Sequence, residues 1–334
     1  MQPFVTIVIP TLNEERYLER CLRSVLDDPY PRDRLELLVL DGGSTDATVA
    51  IAERLGDELP LVRVVHNRGR LQSAAFNLAL RIADERATCL LRCDAHALYP
   101  PGFVSRAVET LERTGAAMVG FTAVATAEAP FQAAVAFAQT TRAGVGGSEY
   151  RLGGHSGWVD SAMHGCFSRG AVEAVGGYEE TASHNEDAEL SLRLRDAGGG
   201  VWLDEELRVA YFPRDSVGGL ARQYFAYGQG RAATVVTHRQ TPQPRQLAPP
   251  LLAAGNLALL LLALATRRWV LLAPIAAYLA ALGGIGAVAA ARRQEPALLG
   301  APVALATMHH TWGSGFIVGM LRSLWRRRRG SHDG

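Results

Sequence analysis

The chain has 334 residues, 48% hydrophobic and 20% charged, which is too long for one ordinary domain and too apolar and varied for a disordered chain. Its formal charge of +1 hides an asymmetry, with 24 Arg against 31 acidic residues through residue 240 and 10 against 2 beyond it. An acidic globular part followed by a basic, apolar part points to an anionic surface such as lipid, and no nucleic-acid partner is expected. The sequence has no Lys, so every fixed cation is an Arg, a residue suited to bidentate binding of phosphate or carboxylate. Cys21, Cys89, Cys93 and Cys166 form no CxxC pair and no zinc-ligand spacing, and read as free thiols in a reducing compartment.

Phe4-Val5-Thr6-Ile7-Val8-Ile9-Pro10 lacks a basic leader and reads as a first strand. Glu14 to Leu26 follows, with Leu18, Leu22, Val25 and Leu26 at helical spacing. Leu35 to Leu40 is a buried-strand run that stops at Asp41-Gly42-Gly43-Ser44-Thr45-Asp46, and Thr48 to Leu55 resumes a helical pattern. A third strand fits Leu61 to Val65, a helix fits Ser73 to Ala83, and a fourth strand fits Thr88 to Arg92, ending in Cys93-Asp94-Ala95-His96. This alternation predicts an α/β fold with a mostly parallel sheet, whose ligands bind beyond the carboxyl ends of the strands. Past Pro100 the pattern loosens into a helix at Gly102 to Thr114, a strand at Ala117 to Thr122 and a Gly-rich stretch from Gly144 to Gly157. Asn185-Glu186-Asp187 then opens a short helix, Ala188 to Ala197, stopped by three glycines.

Residues 241–250 read as a Pro-rich linker. After it come two uncharged stretches, Leu247 to Thr266 and Trp269 to Ala291, separated by Arg267-Arg268. Each is long enough at 1.5 Å per residue for a hydrocarbon core of roughly 30 Å. Pro296 to Leu321 is a third, poorer span because it holds His309, His310, Gly313 and Gly315. With the N-terminal part cytoplasmic, two spans return the chain to the cytoplasm at Arg292-Arg293, and the positive-inside rule keeps Arg322 and Arg326 to Arg329 there if the third segment is interfacial or re-entrant. Two spans plus a membrane-associated third segment are therefore expected.

Three clusters carry chemistry. Asp41 to Asp46 combines a strand-terminal carboxylate with two glycines that let a backbone approach a ligand, which suits a nucleotide; an ordinary turn with Ser44 or Thr45 as helix cap explains it equally well. Asp94-Ala95-His96 offers a carboxylate and an imidazole to one divalent ion, Mg²⁺ or Mn²⁺, completed by a diphosphate, with the imidazole favouring Mn²⁺. His96 bonded only to nearby backbone is the alternative. Glu186 and Asp187 start a helix, where crowded carboxylates gain affinity for a proton and one can serve as general base, although they also suit a plain helix N-terminus.

Together, Ile7 to Glu14, Asp41 to Asp46, Asp94 to His96 and Asn185 to Asp187 resemble, in order and spacing, the family 2 glycosyltransferases of GT-A fold over roughly residues 4 to 235. The Asp-Ala-His form, Tyr227-Gly228-Gln229-Gly230-Arg231 and the apolar C-terminal segments are more narrowly similar to membrane-anchored exopolysaccharide glucosyltransferases of the succinoglycan ExoA type. The resemblance implies that Pro10, Glu14 and Asp41 hold the nucleoside, with Arg70 a weaker candidate, and that Asp94 meets ribose and the diphosphate-bound metal. His96 stands where the family usually has a second Asp. Asp187 matches the family's catalytic base, with Glu186 beside it, and Arg231 would stabilise the leaving diphosphate. Gly176-Gly177-Tyr178 resembles the acceptor side, where Trp158 or His164 would contact sugar. No Trp follows Arg231, unlike in processive relatives, so one sugar per acceptor is expected.

The implied partners are a UDP-sugar donor, a polyprenyl-diphosphate-linked sugar acceptor and membrane lipids, and the implied location is a bacterial inner membrane with the catalytic domain cytoplasmic. Residues 1–98 would form the nucleotide-sugar half, 99–240 the acceptor half, 251–321 the membrane region and 322–334 a basic tail. Two rivals remain. A sugar nucleotidyltransferase would carry a basic, Gly-rich phosphate loop after strand one, where this chain has Pro10-Thr11-Leu12-Asn13-Glu14. A non-catalytic nucleotide-binding scaffold would tolerate loss of Asp94 or Asp187.

Overall fold

The computed structural model describes residues 2–147, 149–153, 155–163, 165–180 and 186–330. In chain order the elements are β1 (Phe4–Thr11), α1 (Leu18–Leu26), β2 (Leu35–Asp41), α2 (Thr48–Glu58), β3 (Val62–His66), α3 (Gln72–Ile82), β4 (Ala87–Arg92), β5 (Ala97–Leu98), α4 (Phe103–Thr114) and β6 (Met118–Ala125). There follow α5 (Pro130–Gln139), α6 (Arg142–Val145), α7 (Glu149–Leu152), β7 (Gly157–Trp158), β8 (Gly165–Ser168), α8 (Arg169–Ala174), α9 (Glu186–Asp196), β9 (Val201–Tyr211), α10 (Val217–Thr237), α11 (Pro244–Thr266), α12 (Ala273–Arg293) and α13 (Ala301–Gly330).

These elements form two compact units, residues 1–124 with 149–211, and residues 125–148 with 212–334. The first holds one mixed sheet in the order β3-β2-β1-β4-β8-β6-β9-β5, with β7 on β9. Strands β1 to β4 are parallel, while β8 runs antiparallel to both β4 and β6. Every residue of β1 and β2 is buried, as expected of parallel strands covered on both faces. Side chains alternate strictly between the faces: Ile7, Leu37, Val39 and Leu91 pack in one cluster with residues of α1, α2 and α4, and Val8, Leu38, Leu40 and Leu90 pack in the other with residues of α3, α8 and α9. In α9, Leu190 and Leu194 are buried one turn apart and Leu192 is turned aside.

The units cut across the sequence-read boundaries at 98 and 240. Strands β6, β8 and β9 complete the sheet that β1 to β4 begin, so the nucleotide half and the acceptor half share one core. Sequence periodicity cannot show such pairing between distant segments. Residues 125–148, in turn, group with the C-terminal helices: Val135 and Ala138 of α5 pack with Leu220 and Tyr224 of α10, Leu282 of α12, and Leu305 and Met308 of α13.

Within the second unit α10 and α13 touch backbone to backbone. A side-chain carbon on Gly315 would lie 2.1 Å from the Phe225 carbonyl oxygen and one on Gly228 2.2 Å from that of Trp312, and Gly315 with Gly319 forms the small-residue spacing typical of close helix pairs. The segment 244–250 is helical instead of a linker. Pro244 takes the first helical position and Gln243 with Gln246 makes a reciprocal capping box, so α11 starts early and carries Pro249 and Pro250 inside it. Two helical stretches, Pro244–Thr266 and Trp269–Arg293, are long and apolar enough to cross a membrane. Leu257, Leu261, Leu264 and Leu279 on them are more than half exposed, a surface suited to lipid. The third segment lies mostly in α13, where His310 bonds Asn256 of α11 and His309 bonds Tyr278 of α12.

Candidate active site

The residues expected to hold a nucleotide follow β1 and β2. Asp41 ends β2 and is 5% exposed; its carboxylate accepts hydrogen bonds from the Gly43 and Ser44 N–H groups at 2.8 and 3.1 Å. Gly43 has φ +89°, the left-handed region where a side chain is strained. A side-chain carbon on Gly42 would meet the Arg70 carbonyl oxygen at 3.0 Å, so Arg70, itself at φ 61°, runs its backbone beside this turn. Asn13 after β1 is also left-handed. Its side chain accepts from the Thr45 N–H at 2.8 Å while its own N–H donates to Ser44 Oγ at 2.8 Å, and the Glu14 N–H donates to Thr48 Oγ1 at 2.7 Å. The Asp41 hexapeptide is thus a turn clipped to the residues that follow Pro10; neither Ser44 nor Thr45 caps α2, whose N-cap is Ala47 with no side-chain bond.

The end of β4 connects this clip to α9. His96 Nδ1 lies 3.0 Å from Glu14 Oε1. Asp94 is fixed by its backbone, whose N–H donates to the Tyr99 hydroxyl at 2.7 Å and whose carbonyl receives the Cys21 thiol. Arg92, the last residue of β4, has a side chain 2% exposed. Its Nη1 donates to Asp187 Oδ1 at 3.0 Å and to the Tyr178 hydroxyl at 3.2 Å, its Nη2 donates to Gln72 Oε1, and Asp94 and Glu186 oxygens lie 3.7 and 3.8 Å from Nη2. The Tyr178 O–H donates to the same Asp187 oxygen at 2.7 Å.

Local sequence explains this placement. Gly176 and Gly177 are both left-handed, and a side chain on Gly177 would strike Asn77 Oδ1 at 2.4 Å. The Asn77 amide in turn bonds both the N–H and the carbonyl of Tyr178 at 2.8 Å. Phe76 and Phe167 meet the Tyr178 ring edge-on, which leaves its hydroxyl aimed at the start of α9.

Burial and the adjacent Asp187 push the Glu186 carboxyl up to about 7, against the pull of Arg92. Burial opposes the Arg92 charge, but Asp187, Asp94 and Glu186 more than offset it and hold the guanidinium ionised. Burial raises the Cys21 thiol far above its usual range, so it is not a nucleophile at neutral pH. For a metal, Asp94 offers a carboxylate and His96 its Nε2, with Nδ1 engaged by Glu14. No three His, Cys, Asp or Glu side chains among the described residues form a cage of their own. That donor set fits a divalent ion arriving with diphosphate oxygens as its other ligands, and not one held by protein alone.

The structure therefore brings together Glu14 and His96, and through Arg92 joins Asp94 to Glu186 and Asp187. Pro10 lies in β1 paired with Leu40, next to Asp41. Arg231 lies on α10, in the second unit. Trp158 on β7 is 57% exposed and stands edge-on against Trp202. His164, Asn185 and the side chains of Arg326 to Arg329 lie outside the described residues. Sequence reading missed Arg92, Tyr178 as a partner of Asp187, and Gln72. An Arg closing an apolar strand was the available signal for the first.

Residues 6–157 match the family model described as glycosyl transferase family 2. The chain is 39% identical to the succinoglycan biosynthesis protein ExoA of Rhizobium meliloti (strain 1021), over 93% of each chain. It is 24% identical to a dolichyl N-acetyl-alpha-D-glucosaminyl phosphate 3-beta-D-2,3-diacetamido-2,3-dideoxy-beta-D-glucuronosyltransferase of Methanococcus voltae, over 70% of this chain and 74% of that one. Among solved structures it resembles the mannosyltransferase PcManGT of Pyrobaculum calidifontis, itself in complex with GDP-Man and Mn²⁺, with a TM-score of 0.54 at 23% identity over 98% of this chain and 88% of that one. At that identity the likeness speaks to the fold alone.

Proposed function

Since the chain belongs to glycosyltransferase family 2 and has the GT-A fold, we propose that it moves one hexose, glucose from UDP-glucose, onto a polyprenyl-diphosphate-linked saccharide during exopolysaccharide synthesis, with inversion at the anomeric carbon. The polymer context is supported by the likeness to a succinoglycan biosynthesis protein along nearly the whole chain. The lipid-borne acceptor agrees with two apolar helices on the same chain, and we place the enzyme in the bacterial inner membrane with its first unit cytoplasmic.

The observation that carries the mechanism is the state of Asp187. Its Oδ1 takes two hydrogen bonds, from Arg92 and Tyr178, which orients the carboxylate and, among the described residues, leaves Oδ2 for an acceptor hydroxyl. Asp187 takes the hydroxyl proton as that oxygen bonds the anomeric carbon from the face opposite the diphosphate, and the bond to the diphosphate oxygen breaks with its electron pair. General-base help of this kind is worth about 10²- to 10⁴-fold. Glu14 and Asp41 hold the nucleoside, with Pro10 and Arg70 framing the pocket, and Asp94 with His96 would hold Mn²⁺ or Mg²⁺. When bound, such an ion offsets the charge that grows on the departing diphosphate. The reaction needs no enzyme nucleophile, in keeping with four buried thiols.

The test is release of nucleoside diphosphate by the purified chain in nanodiscs, offered UDP-glucose, UDP-galactose or GDP-mannose with Mn²⁺ and a polyprenyl-linked sugar, beside Asp187→Asn. Acceptor-dependent release from UDP-glucose, lost in the variant while UDP binding persists, supports the reading. Release from another donor alone, or full activity of the variant, overturns it.

A further inference from the structure

We propose that Arg92 is a positioning residue of the transfer site, one rigid cation that sets the base Asp187 in register with the donor-side carboxylate Asp94. This rests on the reading of Asp187 as base. The guanidinium stands among three carboxylates from two elements: Asp94 two residues on from it, and Glu186 and Asp187 at the start of α9. Asp187 is 95 positions away in sequence. The buried Arg92 Nε has no hydrogen-bond partner among the described residues.

A role in stability alone explains this arrangement poorly. Removing an ion from water costs several kcal/mol before any pairing, and an apolar side chain of similar volume in such a place is usually as stable or more so. Leu90 and Leu91 before it on β4, and Phe167 paired with Leu90 on β8, are already full core residues. What an apolar residue cannot do is hold two carboxylates at a fixed separation. Arg does this because its donors form a planar, inflexible fork, whereas Lys offers a point charge on a mobile stem. Among the described residues, Asp187 is also faced by the Tyr178 hydroxyl from the turn after α8, by Glu186 on its own helix, and by Asp94 across the guanidinium.

The experiment compares the full chain in nanodiscs with Arg92→Met, Arg92→Lys, Tyr178→Phe and Asp187→Asn, reading kcat, calorimetric binding of UDP, and thermal unfolding. Arg92→Met is expected to fold, to bind UDP within about threefold of wild type and to lose kcat about 100-fold. Arg92→Lys restores the charge without the fork, and kcat falls about 10-fold with UDP binding kept. Tyr178→Phe keeps the cation and removes one donor to Asp187, giving a smaller loss of kcat, again with UDP binding kept. Wild-type kcat in Arg92→Met overturns the proposal, as does a loss of UDP binding equal to the loss of kcat. If Arg92→Met does not fold, unchanged kcat in both Arg92→Lys and Tyr178→Phe overturns it. Full activity of Asp187→Asn would refute the base itself, an outcome read separately from the Arg92 variants.

Discussion

His96 Nδ1 stands 3.0 Å from Glu14 Oε1, so the imidazole that follows β4 is engaged by the carboxylate that follows β1. The ring can then offer only Nε2 to a metal, and a nitrogen donor favours Mn²⁺ over Mg²⁺. His96→Asp replaces that donor with oxygen. We expect the ratio of Mg²⁺- to Mn²⁺-supported activity to rise about tenfold in this variant, measured as donor turnover at saturating metal. An unchanged ratio would remove His96 from the metal site.

Glu186 makes a separate prediction about stability. Its carboxyl is raised from 4.5 to about 7 by burial and by Asp187. The folded state therefore binds this proton more tightly than the unfolded chain does. The resulting stabilisation is complete below about 4.5 and is lost as pH rises through about 7. Glu186→Gln imitates the protonated form at every pH. Its melting temperature should match wild type near pH 5 and exceed it by about 5 °C at pH 8. Equal melting curves at pH 8 would show that Glu186 is not desolvated as described.

The α10 and α13 pair has no room at its crossing. A side-chain carbon at Gly315 would lie 2.1 Å from the Phe225 carbonyl oxygen, a backbone atom that cannot turn aside. Gly315→Val should destabilise the second unit by about 3 kcal/mol, whereas the same change at Gly283, with nothing within 4 Å of its added carbon, should be nearly silent. Thermal unfolding of the two variants in detergent distinguishes them.

For topology, we expect the two apolar helices to cross the membrane once each way. Single cysteines at Arg268 and Gln294, placed in a variant with the four native cysteines replaced, should react with a membrane-impermeant maleimide from opposite sides, Arg268 in intact spheroplasts and Gln294 only in inverted vesicles. Labelling of both from one side would mean that α11 and α12 do not both cross.

Much of this was legible in the chain itself. The runs around Ile7, Leu37 and Leu90 announced parallel strands because burial on both faces removes polar residues from the strand, and each ended in a cluster that the fold places at the site. The apolar lengths beyond the linker segment showed two helices long enough to cross a membrane, by composition alone. Both signals are local, since they depend on which residues sit within one element. Arg92 was visible only as the last residue of a strand, and Tyr178 only as the residue after two glycines. That these two share Asp187 depends on how β4, the turn after α8 and the start of α9 come together, and contacts across 95 positions leave no periodicity in a sequence. The same reason hid the joining of α5 to the C-terminal helices, a helix the sequence analysis did not assign. Sequence determined the elements and the chemistry available at their ends; packing decided which charges face each other, and therefore that Asp187 is the carboxylate bonded by both Arg92 and Tyr178.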